Sequence, residues 1–373
     1  MSDSRRMTGT TRVAIQLATR NSAMPTMEIL QREDPLVNII EGLCGKWTLE
    51  DPASYQLQFD EAKITPPPIY ITEENRDLIK DGDILKLDFS PKKSSEKIVQ
   101  CFWDDSIEKN TYMNKLAALS IDKTFADHFI LERGFEELTK YIINEHKTGV
   151  VSSKSGYALS AFVNLMNHNI VSWDTLSEQF LSSIAWYLDP QREPADVLIV
   201  KSALAILKSA ITNSSVGKDF VTKSKFGVNS FITSIRSKDE GTQILCVSLV
   251  NTLLTVSTKD RQQAIRKHLL TNPTRQQVWE SISQMTGFAG SVSKPMAYQC
   301  STLQARLFNL LSDRLNGAIK RQDGAALKEI SDLRKIAFDE DVVDSSGMAR
   351  KVDECRDFTK LGFKDPAEPL AVS

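Results

Sequence analysis

The hydrophobic pattern changes its period part-way along the chain, and this change limits the fold more than any other feature. In the first ninety residues apolar and polar positions alternate, as at Val13, Ile15 and Leu17, which is typical of half-buried strands. From about Asn110 the apolar residues recur every three or four positions, as amphipathic helices require. The sequence therefore predicts a small strand-containing domain followed by an all-helical region.

The first part is predicted to hold five strands and one helix. The apolar or alternating runs lie at 13–17, 26–30, 55–59, 69–71 and 85–89. Asp34 is a candidate helix N-cap, Pro35 fits the first helical position, and Gly45 is a candidate stop, which predicts a helix from Asp34 to about Trp47. The order strand, strand, helix, strand, short strand, strand is that of an α+β ubiquitin-like domain.

The second part is predicted to be a stack of helices. Leu159, Phe162, Val163 and Met166 follow the i, i+3, i+4, i+7 spacing of a helix with one apolar face. Similar sets recur down the chain with helix breakers between them, at intervals of roughly 40 residues that suit armadillo or HEAT-type units. No consensus repeat is legible. The fold class is thus an α+β domain followed by an all-α armadillo-type solenoid.

The domain boundaries follow from these patterns. We expect a disordered tail at 1–11, the ubiquitin-like domain at 12–90, a polar connection at 91–108 and the armadillo-type domain at 109–340. The apolar Cys101, Phe102 and Trp103 are expected to anchor the connection to one of the domains.

Composition excludes several classes of protein. A formal net charge of −2 argues against wrapping nucleic acid, which usually needs a strong basic excess. No apolar run reaches the roughly 18 residues of a membrane span, and the N-terminus lacks the apolar stretch of a secretory signal. The five cysteines are far apart, which fits reduced thiols in the cytoplasm better than a disulfide framework.

Motifs that carry chemistry are absent from the sequence. There is no glycine-rich phosphate loop, no nucleophile elbow, and no histidine or cysteine set with metal-ligand spacing. His168 is expected at a helix C-terminus, where its ring can bond free carbonyls. Trp173 and Trp186 admit two interpretations, a ligand-stacking pair or core packing. We therefore expect a non-catalytic interaction protein with no cofactor, no metal and no catalytic residue.

Five segments of the chain resemble, in order, segments of the ELMO (engulfment and cell motility) scaffold family. LSAFVNLMNH at 159–168 continues into IVSWDT at 170–175, and YITEENR stands at 70–76. Shorter likenesses are KWTL, LRKIAFD and RDFTKLGF, at 46–49, 333–339 and 356–363.

The resemblance implies a function for each part. It implies that the first domain binds an activated small GTPase, RhoG-like or Arl4-like, and that the armadillo region is an inhibitory domain. The two together are expected to dock the cytoplasmic tail of adhesion receptors. Full-length members add an ELMO domain, a PH domain and a proline-rich tail that engage a DOCK-type exchange factor, which activates Rac. Residues 341–373 are expected to be a loop and the start of a truncated ELMO domain. The expected location is the cytoplasm, with recruitment to the plasma membrane through partners.

Four residues are candidates for the contact with the GTPase. An exposed edge strand can accept a further strand from a partner, and the second strand suits this role. Thr26, Met27 and Glu28 lie on that strand, and Leu49 is expected in an exposed loop after the helix. The alternatives are that Met27 belongs to the core and that Glu28 is a solvated charge. Rival interpretations of the whole chain are a formin-like autoinhibitory module and an unrecognised enzyme.

Overall fold

The computed structural model places most of the chain. It describes residues 9–18, 25–60, 69–103, 109–149, 151, 153–189, 196–224, 226–289, 292–315, 324–338 and 354–362. Most of the predicted tail and most of 341–373 lie outside these ranges. The chain divides into two compact units, Met1–Arg306 and Leu307–Ser373, and each is described by itself.

The N-terminal part contains a four-stranded mixed sheet. The strands are β1 (Thr10–Leu17), β2 (Thr26–Gln31), β3 (Tyr55–Phe59) and β4 (Ile84–Phe89), in the spatial order β2-β1-β4-β3. β1 pairs antiparallel with β2 and parallel with β4, and β3 pairs antiparallel with β4. The fifth predicted strand is reduced to one bridge between Gln58 and Tyr70. With the helix that crosses it, this sheet confirms the ubiquitin-like fold. β1 begins inside the predicted tail, because Thr11 is buried against the core.

The helix α1 (Leu36–Trp47) covers one face of the sheet; it ends at Trp47, as predicted, but begins two residues after the predicted start. Asp34 is not its cap: the amide of Leu36 donates 2.7 Å to the carboxylate of Glu73, which comes from the segment after β3. Gly45 does not stop it, because the helix continues to Trp47, which packs against the core. The chain leaves the helix at Thr48, whose φ is 50°.

Fourteen further α-helices follow in the described part of the chain. They are α2 (Pro91–Cys101), α3 (Lys109–Leu119), α4 (Lys123–Leu131), α5 (Gly134–Thr148), α6 (Ser153–Asn167), α7 (Glu178–Trp186), α8 (Val197–Asn213), α9 (Ser215–Lys223), α10 (Glu240–Val256), α11 (Lys259–Leu269), α12 (Asn272–Ala289), α13 (Lys294–Leu315), α14 (Gly324–Phe338) and α15 (Glu354–Lys360).

The first of these occupies the predicted polar connection. Ser90 caps it by accepting from the amide of Lys93, and Pro91 stands at its first position. The prediction of a connection over 91–101 is wrong, because the helix packs against α3, α4 and α5. Its buried face includes the small polar Ser94 and Ser95, so it lacks the apolar period that reveals a helix. Of the three residues expected to anchor the connection, Phe102 is fully buried and stacks on Tyr141 of α5, whereas Trp103 is 53% exposed.

An armadillo-like repeat is visible in the helix positions. α3, α6, α8 and α10 pack one after another, and they begin at residues 109, 153, 197 and 240. These starts are 44, 44 and 43 residues apart, close to the spacing expected of such units. The side chain of Asn251 on α10 donates 3.0 Å to the backbone carbonyl of Gln299 on α13, which extends the stack.

The second unit brings two separated segments together. α14 contacts α15, and Arg334 Nη1 lies 3.4 Å from Asp357 Oδ2 with both side chains almost fully buried. These two residues belong to the segments 333–339 and 356–363 singled out above. Among the described residues, no single helix is long and apolar enough to cross a membrane, although the α8–α9 pair, bent by 107°, would pass on length and composition alone.

Candidate functional site

The two edges of the sheet differ in how far their backbone is covered. At β3 the amide of Phe59 donates to the carbonyl of Ile69, and that of Ile71 to the carbonyl of Leu57, both at 2.9 Å. At β2, within the part of the chain that the structure describes, the only strand partner is β1. The open edge of β2 is therefore where a strand from another protein could be added.

The three candidates on β2 do not share one face. Met27 points to the outer face of the sheet and is 67% exposed, so it is not a core residue. Glu28 points to the α1 side, where Lys46 Nζ donates to both of its carboxylate oxygens at 2.7 and 2.6 Å. Thr26 is half-buried on the same side as Glu28. A partner strand at this edge would meet an apolar side chain on one face and an ion pair on the other.

Leu49 does not have the exposure expected of it. It is half-buried and packs against the core of the ubiquitin-like domain. The physical reason is the tight exit from α1, in which the Leu49 amide donates 2.9 Å back to the carbonyl of Cys44 and folds the side chain inward. Its role in binding stays a prediction, with less accessible surface than the sequence suggested.

The outer face of the sheet carries apolar residues that the sequence analysis did not select. Ile29, two residues beyond Met27 on β2, is 63% exposed, and Ile84 on β4 is 47% exposed. Ala14 on β1 pairs in register with Met27 on one side and with Ile84 on the other. The alternation that marks Leu85 and Leu87 as core also places Ile84 outward, so the pattern did contain this information.

A buried carboxylate fastens the ubiquitin-like domain to the helices. Asp122 Oδ1 accepts from the amides of Thr124 and Phe125 and thereby caps α4. Its Oδ2 accepts from the amides of Ile69 and Tyr70, at 2.6 and 3.0 Å, in the segment that covers the β3 edge. One side chain thus satisfies four backbone donors from two parts of the molecule.

Two side chains of the segment 159–168, most of which lies on α6, bond the end of α3 next to the turn that carries Asp122. Asn164 Nδ2 donates to the carbonyl of Ala117, and His168 Nε2 lies 2.9 Å from the carbonyl of Ser120. His168 was expected to bond free carbonyls at a helix end; it does so at the end of α3 and not of its own helix. The turn that holds Asp122 is therefore fixed by α6.

The described residues offer little for catalysis or metal binding. Within them, no group of three or more histidine, cysteine, aspartate or glutamate side chains could hold a metal ion. Trp173 packs edge-on to Phe162, and Trp186 packs against His146 and Tyr187. Each tryptophan thus has its own packing partners, as the core-packing interpretation expects.

Comparison with known proteins assigns both parts. Residues 9–90 match the model of the ELMO protein N-terminal Ras-binding domain, and residues 124–283 match that of the ELMO armadillo-like helical domain. The chain belongs to the ELMO family. This assignment excludes the formin-like interpretation of the chain. The ELMO scaffold family is generally non-catalytic.

Relatives in the family match almost the whole chain. It is 32% identical to engulfment and cell motility protein 2 of Bos taurus over 369 residues, which cover 96% of this chain and 49% of that protein. It is 30% identical to engulfment and cell motility protein 1 of Homo sapiens, and the match covers 93% of this chain and 48% of that protein. It is 28% identical to engulfment and cell motility protein 3 of Rattus norvegicus, and the match covers 96% of this chain and 49% of that protein. The chain spans about half the length of these relatives.

Proposed function

We propose that this ELMO-family protein is a non-catalytic adaptor whose ubiquitin-like domain binds an activated small GTPase, RhoG-like or Arl4-like. The observation that carries the proposal is the match of residues 9–90 to a Ras-binding domain whose β2 edge is open. The other edge is occupied by residues 69–71, which leaves β2 for a partner.

Binding proceeds by addition of a strand of the GTPase to β2. The exposed N–H and C=O groups of an edge strand supply affinity that depends little on sequence, and the side chains on either face supply specificity. Dependence on GTP comes from the partner, because the switch segments of a GTPase are ordered only when the γ-phosphate is in place.

The wider role follows the family. The armadillo-like region, with the ubiquitin-like domain, is proposed to dock the cytoplasmic tail of an adhesion receptor, since stacked helical repeats form extended binding surfaces. In full-length family members a DOCK-type exchange factor is the proposed further partner, upstream of Rac. The names of the relatives, engulfment and cell motility proteins, support a place in engulfment and cell migration. The proposed location is the cytoplasm, with recruitment to the plasma membrane by these partners.

Calorimetry with RhoG as the probe tests the first step. The 373-residue chain is titrated with RhoG loaded with a non-hydrolysable GTP analogue and, as the matched control, with GDP-loaded RhoG from the same preparation. We expect binding to the GTP form and at least tenfold weaker binding to the GDP form. Equal affinity for GTP-loaded and GDP-loaded RhoG would contradict the proposal that the domain binds the activated form of the GTPase.

A further inference from the structure

The outer face of the ubiquitin-like sheet is more apolar than a solvated face needs to be. In a sheet with one face packed on a helix, the opposite face is normally polar. Here Met27, Ile29 and Ile84 are 67%, 63% and 47% exposed and lie on that opposite face. Exposed apolar residues that cluster in this way mark interaction surfaces.

The register of the strands places Met27 and Ile84 in one line across the sheet, and Ile29 extends this stripe along β2, where it pairs with Arg12. Met27, Ala14 and Ile84 are direct neighbours across β2, β1 and β4. Because neighbouring strands lie about 4.8 Å apart, Ile84 is about 10 Å inward from the β2 edge. Ala14 has a small side chain, so the longer Met27 and Ile84 side chains are accessible on both sides of it.

We propose that the activated GTPase does not stop at the edge of β2 but also covers this outer stripe, with Met27, Ile29 and Ile84 as its apolar contacts. The inference rests on the proposed function and adds the direction in which the partner lies. The stripe is continuous with the open edge, and the domain that carries both matches a Ras-binding family. A partner whose strand is paired to β2 therefore lies next to the stripe and can cover it while the strand stays paired.

The α1 side of the same edge is less suited to extend the contact. Glu28 already holds Lys46 there through two hydrogen bonds, and its side chain is only 15% exposed. A partner on that side would have to break or desolvate this ion pair, which costs free energy that the apolar stripe does not demand. The GTPase surface that fits the stripe is apolar and lies beside the strand it adds.

Ile84 distinguishes an overlying partner from one that pairs with the edge only. A strand added to β2 lies one further strand spacing out, roughly 15 Å from Ile84, and does not touch it. The full chain carrying Ile84→Gln or Met27→Gln is titrated with RhoG loaded with a GTP analogue. The matched control is Val37→Gln, since Val37 is also 63% exposed but lies on α1. Unchanged thermal unfolding of each variant shows that its fold is intact.

We expect Met27→Gln and Ile84→Gln each to weaken binding about fivefold or more, and Val37→Gln to change it less than twofold. If the wild type binds but Ile84→Gln does so equally well, the contact is confined to the edge and this inference is overturned while the proposed function stands. Weakening by Val37→Gln alone would place the partner over α1 and also overturn it. If the wild type does not bind the GTP form, the proposed function fails together with the inference.

A second copy of this chain is the rival occupant of the stripe. Analytical ultracentrifugation of the free wild type tests for it at the concentration used in the titration. A monomer supports the assignment to the GTPase. A dimer that Met27→Gln dissociates would show that the stripe is a self-interface and would overturn the assignment.

Discussion

At the residue scale, buried polar side chains link neighbouring helices of the first unit. Glu145 on α5 is almost fully buried, and three hydroxyl groups donate to its carboxylate. Tyr141 and Ser155 donate to Oε1 at 2.9 and 3.0 Å, and Tyr187 donates to Oε2 at 3.0 Å. These donors come from α5, α6 and the end of α7, so one carboxylate connects three helices.

This network predicts a pH dependence of stability. Burial raises the pKa of Glu145, although the three hydroxyl donors and nearby Lys109 lower it. Protonation therefore favours the folded state. Relative to Glu145→Gln, the wild type should gain stability as the pH falls towards the ordinary pKa of glutamate, and should lose that gain as the pH rises through the folded-state pKa. Urea unfolding of both proteins between about pH 4.5 and pH 8 measures the difference.

The paired variant Glu145→Ala controls for the hydrogen bonds themselves. It leaves the three hydroxyls without their acceptor and is expected to cost about 2 kcal/mol or more at any pH in this range. A constant difference in stability between wild type and Glu145→Gln across the pH range would contradict the assigned direction of the pKa shift.

At the element scale, the close approach of α9 to α8 depends on one glycine. Gly217 near the start of α9 lies against the backbone of Ala210 on α8, and a Cβ there would overlap that carbonyl. Ser214, which caps α9, bonds the amide of Gly217 at 2.9 Å and fixes its position. The approach of α9 to α8 therefore requires a residue without a side chain.

Two glycine substitutions with opposite expected signs test this packing. Gly217→Ala should destabilise the protein by about 2–4 kcal/mol, since backbone must move to make room. Gly42→Ala in α1 is the matched control: no atom lies within 4 Å of the added Cβ, so it should stabilise by up to about 1 kcal/mol. Chemical denaturation of both variants and the wild type measures the two changes in the free energy of unfolding. Equal effects of the two substitutions would show that α8 and α9 are not in contact at this point.

At the scale of the first unit, Asp122 determines how the ubiquitin-like domain joins the helices. Its carboxylate accepts two amides from the ubiquitin-like domain and two from α4. The junction is reinforced by Lys115 on α3, whose Nζ lies 2.7 Å from Asp88 Oδ2 on β4. A partner that binds the sheet as proposed would therefore be held in a fixed position relative to the first helices.

Removing this carboxylate should loosen the junction. Asp122→Ala leaves four backbone donors without their acceptor, and we expect a loss of about 2–4 kcal/mol in stability. Faster amide exchange at Ile69 and Tyr70, measured by mass spectrometry, should accompany it. Asp127→Ala on the exposed face of α4 is the control and should change stability by less than about 0.5 kcal/mol. Unaltered exchange at residues 69–70 in Asp122→Ala would rule out the bond across the junction.

Local patterning in the sequence determined the two-part fold. Alternation in β1 and helical spacing in α6 each express which face of one element is buried, and that information is local. A second short run, at residues 26–30, predicted that β2 is a strand. Only the tertiary structure decided that β2 is the open edge, that Leu49 folds inward and that Ile84 lies in line with Met27. These facts depend on strand order and on long-range partners such as Glu73 and Asp122, which hydrophobic periodicity does not encode.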